Sequence, residues 1–423
     1  MRFVHGNDTT SDNVVSAVTV AELRYSAEHF PIIACAAKQL RGSLPAAAAL
    51  LAIAGCFSPC PGIHLLHASI FLVRSDMTTR SKHPTVSEVA RLAGVGTTTV
   101  SRVINGGERV DPKTLERVNR AIEELGYMPN NAARILRGGR TRTIGLLIPS
   151  IADPFFSSCA EAAQAIARAN DSLLIVITTQ NDPHTEIENV NVLMRHRADG
   201  LIIAPANSQS QTLRDLLQRL AVPVVAMDRP LSGSRIPSVV ADNFAGAQAA
   251  TRHLIEHGCR RIVCLTGETT LYTIRERIRG YRKVVESAGL PCILDTSIRN
   301  YKSAEYAVES MMAGAEPPDA IFTLKNSTTI FTFEALQKLR IAVPKSLKLV
   351  GYDDFELAST VRPSITVIQQ PVDEIGRIAA EILFEDLAAR EGHGQAQTSR
   401  TQQVQLGTRL IRRSSCGCPV SAI

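Results

Sequence analysis

The chain has 423 residues, which indicates two or three domains, and 45% of them are hydrophobic, which is enough for a large core. The formal net charge is +6, and residues 77–142 alone hold twelve Lys or Arg against six Asp or Glu. This short segment carries the whole excess of positive charge, and the charges in the rest of the chain sum to zero. A local basic block beside a neutral body favours a polyanionic partner for the block, although a solvated basic face would give the same count.

The cysteines argue against a zinc site or a disulfide framework. Their number, nine, is odd, and no two have the C-x-x-C spacing. We therefore expect no metal site and no cofactor, and interpret the cysteines as small buried apolar side chains in a reducing compartment. They are Cys35, Cys56, Cys60, Cys159, Cys259, Cys264, Cys292, Cys416 and Cys418.

Residues 1–76 show no clear amphipathic period. The Ala- and Leu-rich run from Pro45 to Phe57 is shorter than the roughly 20 apolar residues of a membrane-spanning helix. A secretion signal begins within about 15–30 residues of the N-terminus, and this run lies too far along the chain. We expect Met77 to be the true start and residues 1–76 to be a non-native extension, with a disordered tail as the alternative.

A helix-turn-helix is predicted from Thr85 onward. Thr85-Val86-Ser87-Glu88 has the S/T-x-x-E form of a capping box, which begins a helix. Gly94 suits a sharp turn with positive φ, and Gly96-Thr97 opens a second helix. Two helices joined by a short turn containing Gly form a DNA-reading motif whose second helix lies in the major groove.

A third helix is expected after Asn105-Gly106-Gly107, with Asp111 as its N-cap and Pro112 at its first position. A generic three-helix bundle is the alternative interpretation. The outward side chains of the second helix count against it, because short hydroxyls and one Arg suit base edges and phosphates. These side chains are Thr97, Thr98, Ser101 and Arg102.

The stretch from Val86 to Val103, VSEVARLAGVGTTTVSRV, resembles the DNA-binding signature of the lactose/galactose repressor family, and Gly126-Tyr127-Met128-Pro129-Asn130 matches its next landmark. The resemblance runs from about Thr85 to Cys418. It implies that Thr97, Thr98 and Arg102 read bases, and Asn105 at the end of the second helix is a further predicted DNA contact.

The segment from Asn130 to Gly139, NNAARILRGG, is too short to form a stable helix alone. The resemblance implies a hinge helix that forms on operator DNA, where Leu136 wedges into the minor groove beside Arg134 and Arg137. A plain linker with a buried Leu is the alternative.

From Thr143 onward, apolar strands alternate with amphipathic helices, which indicates parallel sheets covered on both faces. The fold class is therefore α/β: a helix-turn-helix head and two doubly wound parallel-sheet lobes of periplasmic-binding-protein type, facing a ligand cleft at the strand ends. The predicted strands are Ile144–Ile148, Leu173–Ile177, Leu201–Ala204, Val222–Ala226, Val239–Ala241, Ile262–Leu265, Ala320–Thr323 and Leu349–Val350. Phe155–Ala169, Ala245–His257 and Arg275–Ala288 are predicted helices.

The candidate effector contacts follow the strand ends. The resemblance implies that Asp228, Arg277, Asn326 and Asp353 bind effector, and the rings of Phe155 and Phe156 could stack on a sugar or a base. Such Asp and Asn residues also commonly cap helices, which is the ordinary alternative. The sequence departs from the family at Asn326-Ser327-Thr328, where members carry Asn-Asp.

No P-loop, G-x-S-x-G or H-E-x-x-H motif is found in its required context, so we expect no enzyme. The predicted function is a repressor that binds double-stranded operator DNA with an inverted repeat under control of a small effector, expected to be a carbohydrate. We expect a homodimer in the cytoplasm, associated with the nucleoid and not with a membrane. A secreted solute-binding protein of the same sensor fold is the alternative, which the head disfavours.

These interpretations set the expected domain boundaries. Residues 77–129 form the head, 130–141 the hinge and 142–413 the effector-binding domain. Lobe 1 is expected to comprise about 142–240 and 371–398, and lobe 2 about 241–370 and 399–413.

Overall fold

A computed structural model of the chain describes residues 84–104, 110–128, 140–391 and 403–418. The expectations for residues 1–76, for Asn105 and for the hinge residues Arg134, Leu136 and Arg137 lie outside these ranges. Within them, no helix is long and apolar enough to cross a membrane.

Three helices form the head: α1 (Val86–Ala93), α2 (Thr97–Ile104) and α3 (Pro112–Leu125). The predicted capping box at Thr85 is confirmed, since Glu88 N donates to Thr85 Oγ1 and Thr85 N donates to Glu88 Oε2 at 2.6 Å. Gly94 ends α1 in the left-handed conformation, with φ of 63°, as a sharp turn requires. Asp111 caps α3 by accepting from Thr114 N, also as predicted.

The three helices enclose a small aliphatic core built from Val89, Ala90, Ala93, Val100, Val118, Ala121 and Tyr127. Arg117 of α3 adds a polar tie to this core. Its guanidinium donates to the carbonyl of Ala93 at 2.6 and 3.0 Å and to the carbonyl of Gly94 at 3.0 Å. These carbonyls lie at the end of α1 and in the turn, where helix geometry leaves acceptors without a partner.

The first lobe is a six-stranded sheet in the order β11-β5-β4-β3-β1-β2, and every pairing in it is parallel. Its strands are β1 (Thr143–Ile148), β2 (Leu173–Thr178), β3 (Gly200–Ile203), β4 (Val224–Met227), β5 (Ser238–Ala241) and β11 (Gln403–Leu406). Its helices are α4 (Pro154–Ala169), α5 (Pro183–Arg195), α6 (Gln211–Gln218) and α12 (Val372–Glu391).

The second lobe repeats this plan in the order β12-β10-β9-β8-β6-β7, with only the edge strand β12 antiparallel. Its strands are β6 (Ile262–Leu265), β7 (Ile293–Asp295), β8 (Ala320–Thr323), β9 (Lys348–Tyr352), β10 (Thr366–Gln369) and β12 (Arg409–Ile411). Its helices are α7 (Asn243–Glu256), α8 (Tyr272–Ser287), α9 (Tyr301–Ala313), α10 (Asn326–Lys338) and the short α11 (Glu356–Thr360).

Each sheet is buried on both faces, as its continuous apolar strands predict. Residues of α4 and α12 fill one face of the first sheet, and residues of α5 and α6 fill the other. In the second lobe α7 and α8 cover one face, and α9 and α10 cover the other.

In the part of the chain that the structure describes, the backbone passes between the lobes three times, and each passage is short. Asp242 alone separates β5 from α7, Gln370 and Pro371 separate β10 from α12, and Gly407 and Thr408 separate β11 from β12. The last passage corrects one expectation: residues 403–406 lie in the first lobe, although 399–413 were assigned to the second. The four-residue strand β11 pairs with β5 through backbone bonds that its alternating, half-exposed sequence did not reveal.

We predict that Arg117→Ala loosens the turn between α1 and α2. The substitution removes three hydrogen bonds to the end of α1 and the turn, and each is worth roughly 0.5–1.5 kcal/mol, or more when it involves a charged group. Hydrogen exchange followed by mass spectrometry should show faster exchange in peptides covering 85–104. Lys113→Ala, on the same helix and exposed, serves as the control. Equal exchange in both variants would show that the aliphatic core alone holds this turn.

Candidate functional site

The predicted DNA-reading side chains lie together on one face of α2. Thr97, Thr98 and Arg102 are exposed, whereas Val100 is fully buried in the head core. Ser101 is half-buried on the same helix. The helix thus presents hydroxyls and one guanidinium to the outside, the donor and acceptor types that base edges and phosphates require.

A cavity of about 250 Å³ lies between the two lobes at the carboxyl ends of their strands. Five of the six predicted effector contacts line it: Phe155, Phe156, Asp228, Arg277 and Asp353. They are brought together because the carboxyl ends of the parallel strands in each lobe face the cleft, which is where α/β sheets bind ligands.

Asp228 and Asp353 occupy equivalent positions in the two lobes. Each follows the strand at the same place in its sheet, β4 or β9, and each adopts a left-handed conformation, with φ of 66° and 69°. The amide of Asp228 donates to Val239 and that of Asp353 to Ile368, both at 2.9 Å. Two buried carboxylates, one from each lobe, therefore line the same cavity.

The guanidinium of Arg277 is held by partners from several elements. Its Nε donates to Asn243 Oδ1 at 2.8 Å, and Nη1 donates to the carbonyl of Leu324 at 2.7 Å. Its contacts to the Asp353 carboxylate are longer, at 3.5 Å. The guanidinium carbon lies 3.7 Å from the centre of the Tyr352 ring. Arg277 is thus fixed in place, while its contact with Asp353 is loose.

Arg229 plays the corresponding part in the first lobe. Its Nε donates to Asp228 Oδ2 at 3.0 Å, and Nη1 donates to Asn181 Oδ1 at 2.6 Å and to the carbonyl of Pro205 at 3.1 Å. Its guanidinium carbon lies 5.8 Å from the ring centre of Phe156. A cation and an aromatic ring therefore share this wall of the cavity.

Asn326 does not line the cavity as the other five residues do. As the first residue of α10, it donates from Nδ2 to Asp153 Oδ1 across the cleft at 3.0 Å. The neighbouring Lys325 Nζ lies 3.4 Å from Asp153 Oδ2. These two contacts connect the lobes directly, so Asn326 is placed as an interlobe contact.

Several cavity residues were missed in the sequence. Lys325, Gln180, Asn181 and Gln370 line the cavity, and Gln370 Nε2 donates to Asp353 Oδ1 at 2.5 Å. Asn243 orients Arg277 from the N-terminal turn of α7. Most of these residues also follow strands, and a search of every strand end, instead of the motif positions alone, would have found them.

Burial raises the pKa of two carboxyls in the first lobe. It raises the pKa of Asp228, and the nearby Arg229 and Arg277 partly oppose this effect. Glu186 of α5 is fully buried, and burial raises its pKa from 4.5 to about 7, against the opposing hydrogen bond from Ala206 N. Oε2 of Glu186 has no hydrogen-bond partner.

Comparison with known proteins matches both parts of the chain to one family. Residues 85–130 match the bacterial regulatory proteins of the lacI family, and residues 141–412 match the periplasmic binding proteins and sugar binding domain of LacI family. The ribose operon repressor of Escherichia coli (strain K12) is 34% identical over 338 residues, which cover 78% of this chain and 99% of that protein. The chain belongs to the LacI family.

Two solved structures agree with this assignment. A complex of the transcriptional regulator CelR with cellobiose has a TM-score of 0.58 at 30% identity, covering 78% of this chain and 99% of that one. A lac repressor dimer bound to operator and the anti-inducer ONPF has a TM-score of 0.69 at 24% identity, covering 79% and 99%, and supports the fold. This LacI-family chain is a DNA-binding transcription regulator whose two-lobed domain binds a small-molecule effector, and its relatives are repressors, not enzymes.

We predict that Glu186→Gln changes how stability depends on pH. The folded-state pKa of Glu186, about 7, lies above its unfolded value of 4.5, so folding favours the protonated form. The contribution of protonated Glu186 to the free energy of unfolding is complete below about pH 4.5 and is lost as the pH rises through about 7. Gln carries no charge. As the pH rises from 5 to 8, the free energy of unfolding of the variant should therefore increase on the order of 3 kcal/mol relative to that of wild type.

Thermal unfolding at several pH values measures this difference. Glu161→Gln, exposed on α4, should leave the profile unchanged. A constant difference between Glu186→Gln and wild type from pH 5 to 8 would mean that Glu186 is ionised throughout this range.

Proposed function

We propose that this LacI-family protein is a cytoplasmic, nucleoid-associated repressor that binds an inverted-repeat operator as a homodimer and responds to a neutral sugar bound in the cleft. The observation that carries the proposal is the convergence of Asp228, Asp353 and Arg277 on one cavity between the lobes. Carboxylates accept hydrogen bonds from adjacent hydroxyls and a guanidinium donates to them, which suits a polyol. Two of its relatives, the ribose operon repressor and the CelR regulator in complex with cellobiose, agree with a carbohydrate.

The charges around the cavity favour a neutral ligand. The acidic lining residues are Asp153, Asp228 and Asp353, and the basic ones are Arg229, Arg277 and Lys325. Each cation lies against one of these acids. A phosphorylated sugar would have to displace an existing ion pair, because each cation of the lining already has a carboxylate partner.

The size of the cavity favours a monosaccharide. Its volume of about 250 Å³ lies below the roughly 300–1,000 Å³ of sites for drug-sized ligands. The rings of Phe155 and Phe156 contribute apolar surface to the lining, which the less polar face of a pyranose or furanose ring can cover. We propose no reaction for this cleft.

We assign base reading to Thr97, Thr98 and Arg102. Arg102→Ala should weaken operator binding by about 1–3 kcal/mol if the guanidinium makes a bidentate contact with guanine. Binding to random DNA should change much less. An operator selected from random sequences in vitro, titrated at several salt concentrations, measures both affinities. Arg120→Ala, exposed on α3, is the control. Equal losses on operator and random DNA would make Arg102 a phosphate contact.

We assign effector binding to Arg277. Arg277→Ala should leave operator binding without ligand intact and weaken sugar binding at least about 10-fold, since a hydrogen bond to a charged group contributes roughly 1.5–3 kcal/mol. Thermal shift with neutral monosaccharides, their phosphates and nucleobases identifies the ligand, and titration of the operator complex then measures the response. Arg282→Ala, exposed on the same helix, is the control. A normal response by Arg277→Ala contradicts this assignment, and binding only of phosphorylated sugars contradicts the proposal of a neutral ligand.

A further inference from the structure

Four side chains from two distant parts of the sequence meet on the second lobe. His253 and His257 come from α7 and its C-cap, and Cys416 and Cys418 follow β12 near the end of the described chain. One possible ligand atom from each residue, an imidazole nitrogen or a thiol sulfur, lies within 4.8 Å of the other three. The absence of C-x-x-C spacing hid this cluster, because the ligands combine H-x-x-x-H with C-x-C.

The separations suit a tetrahedral ion. Cys418 Sγ lies 3.3 Å from His257 Nε2 and 3.7 Å from His253 Nε2. Zinc at about 2.0–2.1 Å from nitrogen and about 2.3 Å from sulfur would place neighbouring ligands about 3.3–3.8 Å apart. Modest side-chain adjustments would bring the remaining pairs into this range.

The backbone positions these ligands independently of an ion. His253 and His257 are one helical turn apart, and His257 N donates to the His253 carbonyl at 3.1 Å. Ser415, between β12 and Cys416, donates to the Leu349 carbonyl at 2.6 Å and accepts from Thr366 N at 2.9 Å. Gly417 turns with φ of 90°, so both cysteines face the same site.

A neighbouring hydroxyl contacts one of the two sulfurs. Thr366 Oγ1 donates to Cys416 Sγ at 3.0 Å. Metal-binding cysteines are deprotonated, and a hydrogen bond from a neighbouring group typically orients such ligands.

We propose that His253, His257, Cys416 and Cys418 bind one zinc ion, which fastens the C-terminal segment to α7. Two nitrogens and two sulfurs form the donor set of structural zinc sites and are unsuited to magnesium or calcium, which take oxygen ligands. His253 and Cys416 are buried, whereas His257 and Cys418 are half-buried, so the ion would be shielded yet reachable from solvent.

This site is separate from the effector cavity. Asn243, which orients Arg277, and His257 lie at opposite ends of α7, and fourteen residues of helix correspond to about 20 Å. The zinc proposal therefore does not depend on the identity of the effector, and its failure would leave the proposed function unaffected.

The test uses the full chain without a histidine tag, purified under reducing conditions. After dialysis against zinc and removal of excess metal, elemental analysis should find one zinc per chain. Cobalt(II) in place of zinc should give the strong visible bands of tetrahedral cobalt and thiolate-to-cobalt absorption in the near ultraviolet. A chelator should lower the apparent Tm by at least about 5 °C.

Two variants of half-buried ligands keep the test independent of folding defects. Cys418→Ser and His257→Gln should each weaken zinc binding at least about 100-fold in competition with a chromogenic chelator, since changes outside the ligand set alone cost 10–100-fold. Both should lose the response of Tm to the chelator. Cys292→Ser, which removes an exposed cysteine elsewhere, should behave like wild type.

Three outcomes would overturn the proposal. One is zinc content in wild type no higher than in Cys418→Ser. Another is cobalt spectra without tetrahedral bands. The third is a disulfide between Cys416 and Cys418 in the protein purified under reducing conditions, seen as a loss of two mass units that reduction reverses.

Discussion

The burial of Arg277 constrains the organisation of the second lobe around the cleft. A guanidinium that is only 3% exposed needs a partner for each buried donor, because an unpaired buried charge is strongly destabilising. The partners come from the start of α7, the residue after β8 and the turn after β9. One side chain therefore fixes the relative positions of three elements, and it leaves the long contact to Asp353 as the place where a ligand hydroxyl can enter.

The equivalence of the lobes explains how such a site can respond to a ligand. Asp228 and Asp353 occupy the same position in the two sheets, so a molecule that bonds both carboxylates contacts both lobes at once. Its affinity then depends on how far apart the lobes are, which is the differential binding that ligand control of a conformation requires. The contacts of Asp153 with Lys325 and Asn326 also connect the lobes and contribute to the same balance.

The sequence was most informative where local chemistry determines the structure. The Thr85 capping box, Gly94 and Asp111 identified the head helices to the residue, and all eight predicted strands are present within two residues of their predicted limits. The strands β7, β11 and β12 were missed because they lie at sheet edges, where half-exposed residues give no continuous buried apolar run and pairing partners elsewhere in the chain define the strand. For the same reason β11 was assigned to the wrong lobe. Strand β10 was missed as well.

Some of the site residues could likewise be predicted from local sequence, and others could not. Asp228 and Asp353 were predictable because they directly follow strands whose ends must converge, whereas Arg277, on α8, was indicated only by the family resemblance. The position of Asn326 was not predictable, because its contact depends on how closely the two lobes approach each other. The cysteine spacing in the sequence argued against a metal site, and so the histidine and cysteine cluster was missed. Its two halves are about 160 residues apart, and only the packing of β12 beside α7 brings them together.

The shortness of the three passages between the lobes has a mechanical consequence. One or two residues supply few rotatable bonds, so the lobes can pivot about this axis but can hardly slide or separate. A small rotation of one lobe about these passages produces a larger displacement at the ends of the lobes that lie farthest from them. Gln370 belongs to one of these passages and donates a hydrogen bond to Asp353 in the cavity. A single hydrogen bond therefore connects this passage to the binding site. A ligand that contacts Asp353 would therefore lie one hydrogen bond away from a residue of this passage.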